Sequence, residues 1–164
     1  YLYRKYIYIE NIFCVYIQEM ILFKGLSIIV YASSDHQRLL DFLTSINVIT
    51  NTIILPLLPN RELIIHHMKA TNIWWEGVIR VSSDPKLWGP CVWGMLYNLA
   101  YMKPPNCLFT SMILKFQYLV PCGKCNKHFK EILLRVPYLK NRSPIAQVDL
   151  LRELVDYKKR AQIS

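Results

Sequence analysis

A proline, two cysteines and a histidine, the last three at three-residue steps, mark one segment of this 164-residue chain: Pro121-Cys122-Gly123-Lys124-Cys125-Asn126-Lys127-His128-Phe129. Proline suits the first turn of a helix, so a helix is expected to start near Cys122 and to run on as an amphipathic segment over residues 126–135. Residues three apart share a helical face, so the two sulfurs can meet, close to a disulfide and reopen. The partial positive charge of a helix N-terminus, with Lys124, Lys127 and Lys130 beside it, favours thiolate over the free thiol's value of about 8.5. Redox chemistry at Cys122 and Cys125 is the leading expectation.

Working outward, residues 108–120 also read as helix, with Phe109, Met112, Ile113, Phe116 and Val120 at helical intervals. A thioredoxin-like exchanger needs a strand before its dithiol, so that setting is disfavoured. Two other readings stay open. Cysteines can be small buried apolar residues. Cys122, Cys125 and His128 can also supply three zinc ligands with Cys107 as a fourth, although zinc sites usually draw on two ligand pairs and this chain has a single C-x-x-C.

Further upstream lies Trp88-Gly89-Pro90-Cys91-Val92-Trp93-Gly94-Met95-Leu96-Tyr97-Asn98-Leu99-Ala100-Tyr101, which opens on a first-turn proline and stops at Lys103-Pro104-Pro105. Trp93, Leu96, Tyr97 and Ala100 share one helical face. Such a stripe reads as core, and its indoles and phenol also make an aromatic wall on which a planar cofactor can stack.

Taken together, Trp-Gly-Pro-x-x-Trp-x-x-Leu-aromatic, a helix, and Pro-Cys-x-x-Cys-x-x-His-Phe resemble the FAD-linked sulfhydryl oxidases of the Erv/ALR type, which include mitochondrial, secretory and viral members. The resemblance covers residues 84–138, about a third of the chain. It implies a mainly α fold with a small four-helix bundle in the C-terminal half. The cofactor implied is FAD, and the activity is oxidation of substrate dithiols to disulfides with electrons passed to oxygen, giving hydrogen peroxide. Carried over by position, Cys125 is the flavin-proximal sulfur and Cys122 the outer one that exchanges with the incoming thiol. Trp88, Gly89, Pro90 and Trp93 match the motif whose helix lines the flavin site, and His128 matches a position near the cofactor. Tyr97 stands where the family usually has histidine. The resemblance also implies a thiol-containing protein substrate or thioredoxin-like carrier, a homodimer, and one of three compartments: mitochondrial intermembrane space, secretory compartment or virus-infected cytoplasm. The family's next helix carries His-Asn-x-Val-Asn against the adenine end of FAD. Here Ser143-Pro144 starts a helix with Ile145, Val148, Leu151, Leu154 and Val155 as its apolar stripe, and that motif is absent.

Charge divides the chain near Ser83. Residues 1–83 hold seven Lys/Arg and six Asp/Glu, net +1, whereas residues 84–164 hold thirteen and five, net +8. The first part, of uncertain structure, has β-favouring runs at 6–9, 13–17, 28–31 and 53–58 and a short helix at 37–46. It reads as a segment of unassigned function, an extension or an upstream translation, with Met68 as an internal start that leaves a minimal catalytic unit. The tandem pair His66-His67 points to different faces and does not share a metal. No apolar run reaches the ~20 residues of a spanning helix, and no signal-peptide pattern lines up. Cys14, Cys91 and Cys107 remain outside the dithiol, as buried thiols, a pair or an electron shuttle. The overall charge of +9 also fits a non-enzymatic nucleic-acid-binding or zinc-binding module using Cys122, Cys125, His128 and the basic half, although no nucleic-acid-binding motif accompanies it.

Overall fold

The computed structural model describes residues 22, 25–26, 28–30, 32–50 and 84–163, and among them the chain is mainly helical with no strand. Its longer helices are α1 (His36–Thr50), α2 (Pro85–Tyr101), α3 (Asn106–Phe116), α4 (Gly123–Leu134) and α5 (Pro144–Ile163), with a 3-10 turn at Leu139–Asn141. The sequence accounts for most of their ends. Asp84 accepts a hydrogen bond from the Lys86 backbone N–H at 3.0 Å and Pro85 fills the first turn, so α2 starts with its donors satisfied. Lys103 adopts a left-handed φ of 53° as the chain leaves α2, and Pro104-Pro105 prevents any continuation. Ser143 caps α5 by accepting from Ala146 N–H at 3.4 Å.

Two sequence expectations change. Residues 28–30 are helical rather than β-like, and Ile28, Ile29 and Val30 are all buried. A short run of β-branched residues covered on every side carries no periodicity to separate strand from helix. The helix expected over 108–120 closes at Phe116, where Leu119 N–H bonds Phe116 O at 2.8 Å and the Asn126 side-chain amide donates to Gln117 O at 2.6 Å. That second bond ties the loop before the dithiol to α4 itself. The runs at 6–9, 13–17 and 53–58, with Cys14, His66-His67 and Met68, lie outside the described residues.

The core is continuous. Phe116 touches Phe42 of α1 with ring centroids 6.0 Å apart and meets Phe129 of α4 edge-on at 5.4 Å. One phenyl ring thus joins α1, α3 and α4. Helix α1 packs on α3 and α2, and α5 packs on α2, α3 and α4. Core side chains therefore come from both sides of position 83, with Phe42, Leu43 and Ile46 as buried as Met95, Met112 or Leu151. Close approach depends on Gly25: a Cβ there would stand 2.3 Å from Met95 Cβ and 2.9 Å from Cys91 O. Polar groups lock the same layers. Fully buried Gln147 accepts from the Thr110 hydroxyl at 2.8 Å and donates to Arg142 O at 2.8 Å and Asn106 O at 3.3 Å, pinning α5 to the start of α3. Lys115 of α3 donates to the Ser45 hydroxyl of α1 at 2.8 Å.

Candidate functional site

Helix α4 begins on a sulfur. Cys122, with φ −105° and ψ 128°, is the N-cap of α4, and its Sγ accepts the Cys125 backbone N–H at 3.3 Å. The extended backbone of Cys122 places its side chain at the mouth of the helix, while Cys125 sits one turn in on the same face. The four described cysteines, Cys91, Cys107, Cys122 and Cys125, are all thiols.

The two thiols differ in acidity because they share one charge. Burial pushes Cys122 up, but the Cys125 thiol, the backbone N–H groups of Cys125 and Lys124, and the Lys124 ammonium together outweigh it and leave Cys122 below its ordinary value. For Cys125, burial comes first, then the hydrogen bond it gives to Cys122 and the negative charge there; Lys159 pulls the other way, and the result is about 12. When the reduced pair loses one proton, the proton leaves Cys122 and Cys125 keeps its own.

Both sulfurs line a cavity of about 380 Å³ between α2, α4 and α5. That volume falls within the range of roughly 300–1,000 Å³ usual for small-molecule sites. Trp88, Gly89 and Trp93 of α2 form one wall, and Phe129 and His128 of α4 form another. Trp88 is only 6% exposed, and its indole N–H has no hydrogen-bond partner among the described residues. A buried donor left unpaired costs about 1–3 kcal/mol, so the position suits an incoming acceptor.

Of the eight residues singled out from sequence, the cavity gathers Cys122, Cys125, Trp88, Gly89, Trp93 and His128. Pro90 and Tyr97 are not among its lining residues: Pro90 is exposed, and Tyr97 donates its hydroxyl proton to the Asp149 carboxylate of α5. Burial and then Asp149 push the Tyr97 phenol above its ordinary value, against the opposing pull of Arg152. The expected zinc partner Cys107 is exposed at the start of α3 and does not line the cavity. No group of three or more His, Cys, Asp or Glu among the described residues has metal-holding geometry.

A third wall comes from α5, of which the sequence pattern marks only Val155, as part of an apolar stripe. Val155, Lys158, Lys159 and Gln162 of α5 line the cavity, and their i, i+3, i+4, i+7 spacing is the signal that puts them on one face. Lys158 pairs with Glu131 of α4, and the Gln162 amide lies 3.2 Å from His128 Nε2. Burial, then the charges of Lys158, Lys124 and Lys127, hold the His128 imidazole below its ordinary value despite Glu131.

No known family model, curated protein or solved structure matches the chain. Among the described residues no helix is long and apolar enough to cross a membrane.

Proposed function

We propose that this chain is an FAD-linked thiol oxidase of the Erv/ALR type, with α2 to α5 as its four-helix frame and a second copy completing a homodimer. The observation that carries the reading is the convergence of a C-x-x-C dithiol and two tryptophans on one apolar cavity. Val92, Leu96, Phe116 and Ile132 supply flat or branched apolar surface, and Trp88 supplies an unpaired N–H. That donor set fits a planar ring system with a polar edge. Trp88, Gly89, Trp93 and His128 are the residues that would hold the flavin. When bound, FAD would take two electrons from the reduced dithiol and pass them to oxygen, giving hydrogen peroxide.

The chain's own residues do the sulfur chemistry. With Cys122 and Cys125 oxidised, a substrate thiolate attacks Cys122 Sγ; the substrate–Cys122 bond forms, the Cys122–Cys125 bond breaks, and the electron pair goes to Cys125. A second substrate thiolate then attacks the substrate sulfur and releases Cys122, so the substrate leaves as a disulfide and the pair carries its two electrons. The mouth position of Cys122 suits exchange with a partner, and the α4 amides with Lys124 stabilise it as the departing thiolate. Cys125 takes up a proton in that reduced state. His128 stands beside the pair with its Nε2 3.2 Å from the Gln162 amide, and burial with the nearby lysines disfavours its protonated form.

The purified full chain should turn yellow on reconstitution with FAD, oxidise dithiothreitol and release peroxide. Cys125→Ala and Cys122→Ala should each abolish turnover. Failure to retain any flavin, or unchanged turnover in either variant, overturns the assignment. Trp88→Phe keeps the aromatic wall and removes the unpaired N–H, so it should weaken FAD binding about tenfold while leaving the thermal midpoint of the flavin-free protein unchanged or higher. Equal FAD affinity in this variant removes Trp88 from the proposed cofactor contacts.

A further inference from the structure

Cations ring the mouth of the dithiol. Lys124 and Lys159 are exposed and line the cavity from opposite helices, one acting electrostatically on Cys122 and the other on Cys125. Lys127, exposed one turn along α4 from Lys124, and Lys158 of α5 both act on His128. Against these four ammonium groups stands Glu131, whose carboxylate is taken by Lys158. No carboxylate is among the residues lining the cavity. The cavity that holds the sulfur a partner thiol must reach is therefore lined by lysine ammonium groups and by no opposing carboxylate.

We infer that this mouth recognises acidic side chains flanking the reacting cysteine of a peptide or protein dithiol. The inference rests on the reading of Cys122 and Cys125 as an exchanging pair. Lysine ammonium groups are flexible and strongly hydrated, so they steer and select an acidic partner without needing a fixed geometry. Nucleic acid fits the face less well. Among the described residues the two tryptophans line the cavity, Tyr118 at the nearby loop is already stacked by Arg38 at 3.6 Å and Lys130 at 4.9 Å, and Tyr157 of α5 is the one exposed ring beside Lys158, whereas single-strand binders stack successive bases on several. In the step itself, the partner's thiolate bonds to Cys122 Sγ, the Cys122–Cys125 bond breaks toward Cys125, and the partner's second thiolate resolves the mixed disulfide. Two electrons pass from partner to protein, and the partner leaves oxidised.

The test needs no flavin. The oxidised full-length protein is mixed with three dithiol peptides, identical except for Asp, Asn or Lys beside the cysteines, and formation of peptide disulfide is followed in a single turnover. The Asp peptide should react roughly tenfold faster than the Asn peptide at low salt, the Lys peptide should be slowest, and the spread should collapse as salt rises. Lys127→Glu and Lys159→Glu should each lower the Asp-to-Asn ratio several-fold. The ratio is the readout because a change in intrinsic sulfur reactivity cancels from it.

Equal rates for the three peptides, or a spread insensitive to salt, overturn the inference while leaving the exchanging pair intact. A charge preference that vanishes once FAD is bound would also overturn it, by assigning the lysines to the cofactor's phosphates. So would stronger blocking by a single-stranded oligonucleotide than by an acidic peptide of equal charge. No reaction with any peptide removes the exchange reading and this one together.

Discussion

Replacing Cys122 tests the division of charge within the dithiol without any cofactor. In the native pair Cys125 is pushed up to about 12 by burial, by the hydrogen bond it gives Cys122, and by the negative charge on Cys122. At pH 8 the Cys125 thiol is therefore almost entirely protonated. Cys122→Ser removes the charge but keeps an oxygen that can cap α4 and accept the Cys125 thiol proton. Cys122→Ala removes both upward influences and leaves burial opposed by Lys159 and the backbone amide. The Cys125 thiol should therefore become more acidic in the order native, Ser, Ala. A fall of about one unit or more in the Ala variant corresponds to at least a tenfold rise in thiolate, about 1.4 kcal/mol per unit. Alkylation rate against pH, read on the Cys125 peptide by mass spectrometry, measures it. Stability separates the two variants: Ala should lose about 1 kcal/mol with the N-cap, and Ser much less. If Cys125 titrates at the native value in the Ala variant, burial alone sets its acidity and the shared-charge account is wrong.

Gly25→Ala should lower stability by about 1–3 kcal/mol, seen as a reduced thermal midpoint, because the added carbon meets Met95 Cβ and the Cys91 carbonyl; an unchanged midpoint would show that the two segments separate freely. Gln147→Leu should cost about 1–3 kcal/mol in urea unfolding, since it removes the amide donor to the Arg142 carbonyl and the Asn106 and Thr110 contacts between α3 and α5. His128 binds its proton less readily folded than unfolded, so its contribution is fully present above the ordinary imidazole value near 6.5 and declines as pH falls below it. His128→Gln should flatten that acid limb of the stability curve, and a native His128 resonance titrating at or above 6.5 would contradict the sign.

The chemistry was legible because it is local. Pro121 and the three-residue steps from Cys122 to His128 place the sulfurs and imidazole on one face, and Trp88 and Trp93 follow from the same helical arithmetic on α2. Tyr97 shares the helical stripe with Trp93 yet bonds Asp149 instead, a partner 52 residues away that no spacing rule announces. The α5 wall was hidden for another reason. Lys158, Lys159 and Gln162 read as the solvated end of a helix, and only the packing of α5 against α4 turns that face toward the dithiol. Residues 28–30 and the end of α3 show the remaining limit: apolar runs without alternation fit either regular structure, and a loop closed by Asn126 needs a contact from beyond the helix it terminates.

An N-cap made of sulfur has a thermodynamic side. Oxidation would draw Cys122 into a neutral bond and leave the first turn of α4 with a poor acceptor, whereas reduction restores a charged one. If the charged cap is worth about 1 kcal/mol, the midpoint potential of the couple rises by about 20 mV for two electrons. The way this helix begins therefore makes the couple a stronger oxidant, biased toward receiving electrons before any partner or cofactor engages it.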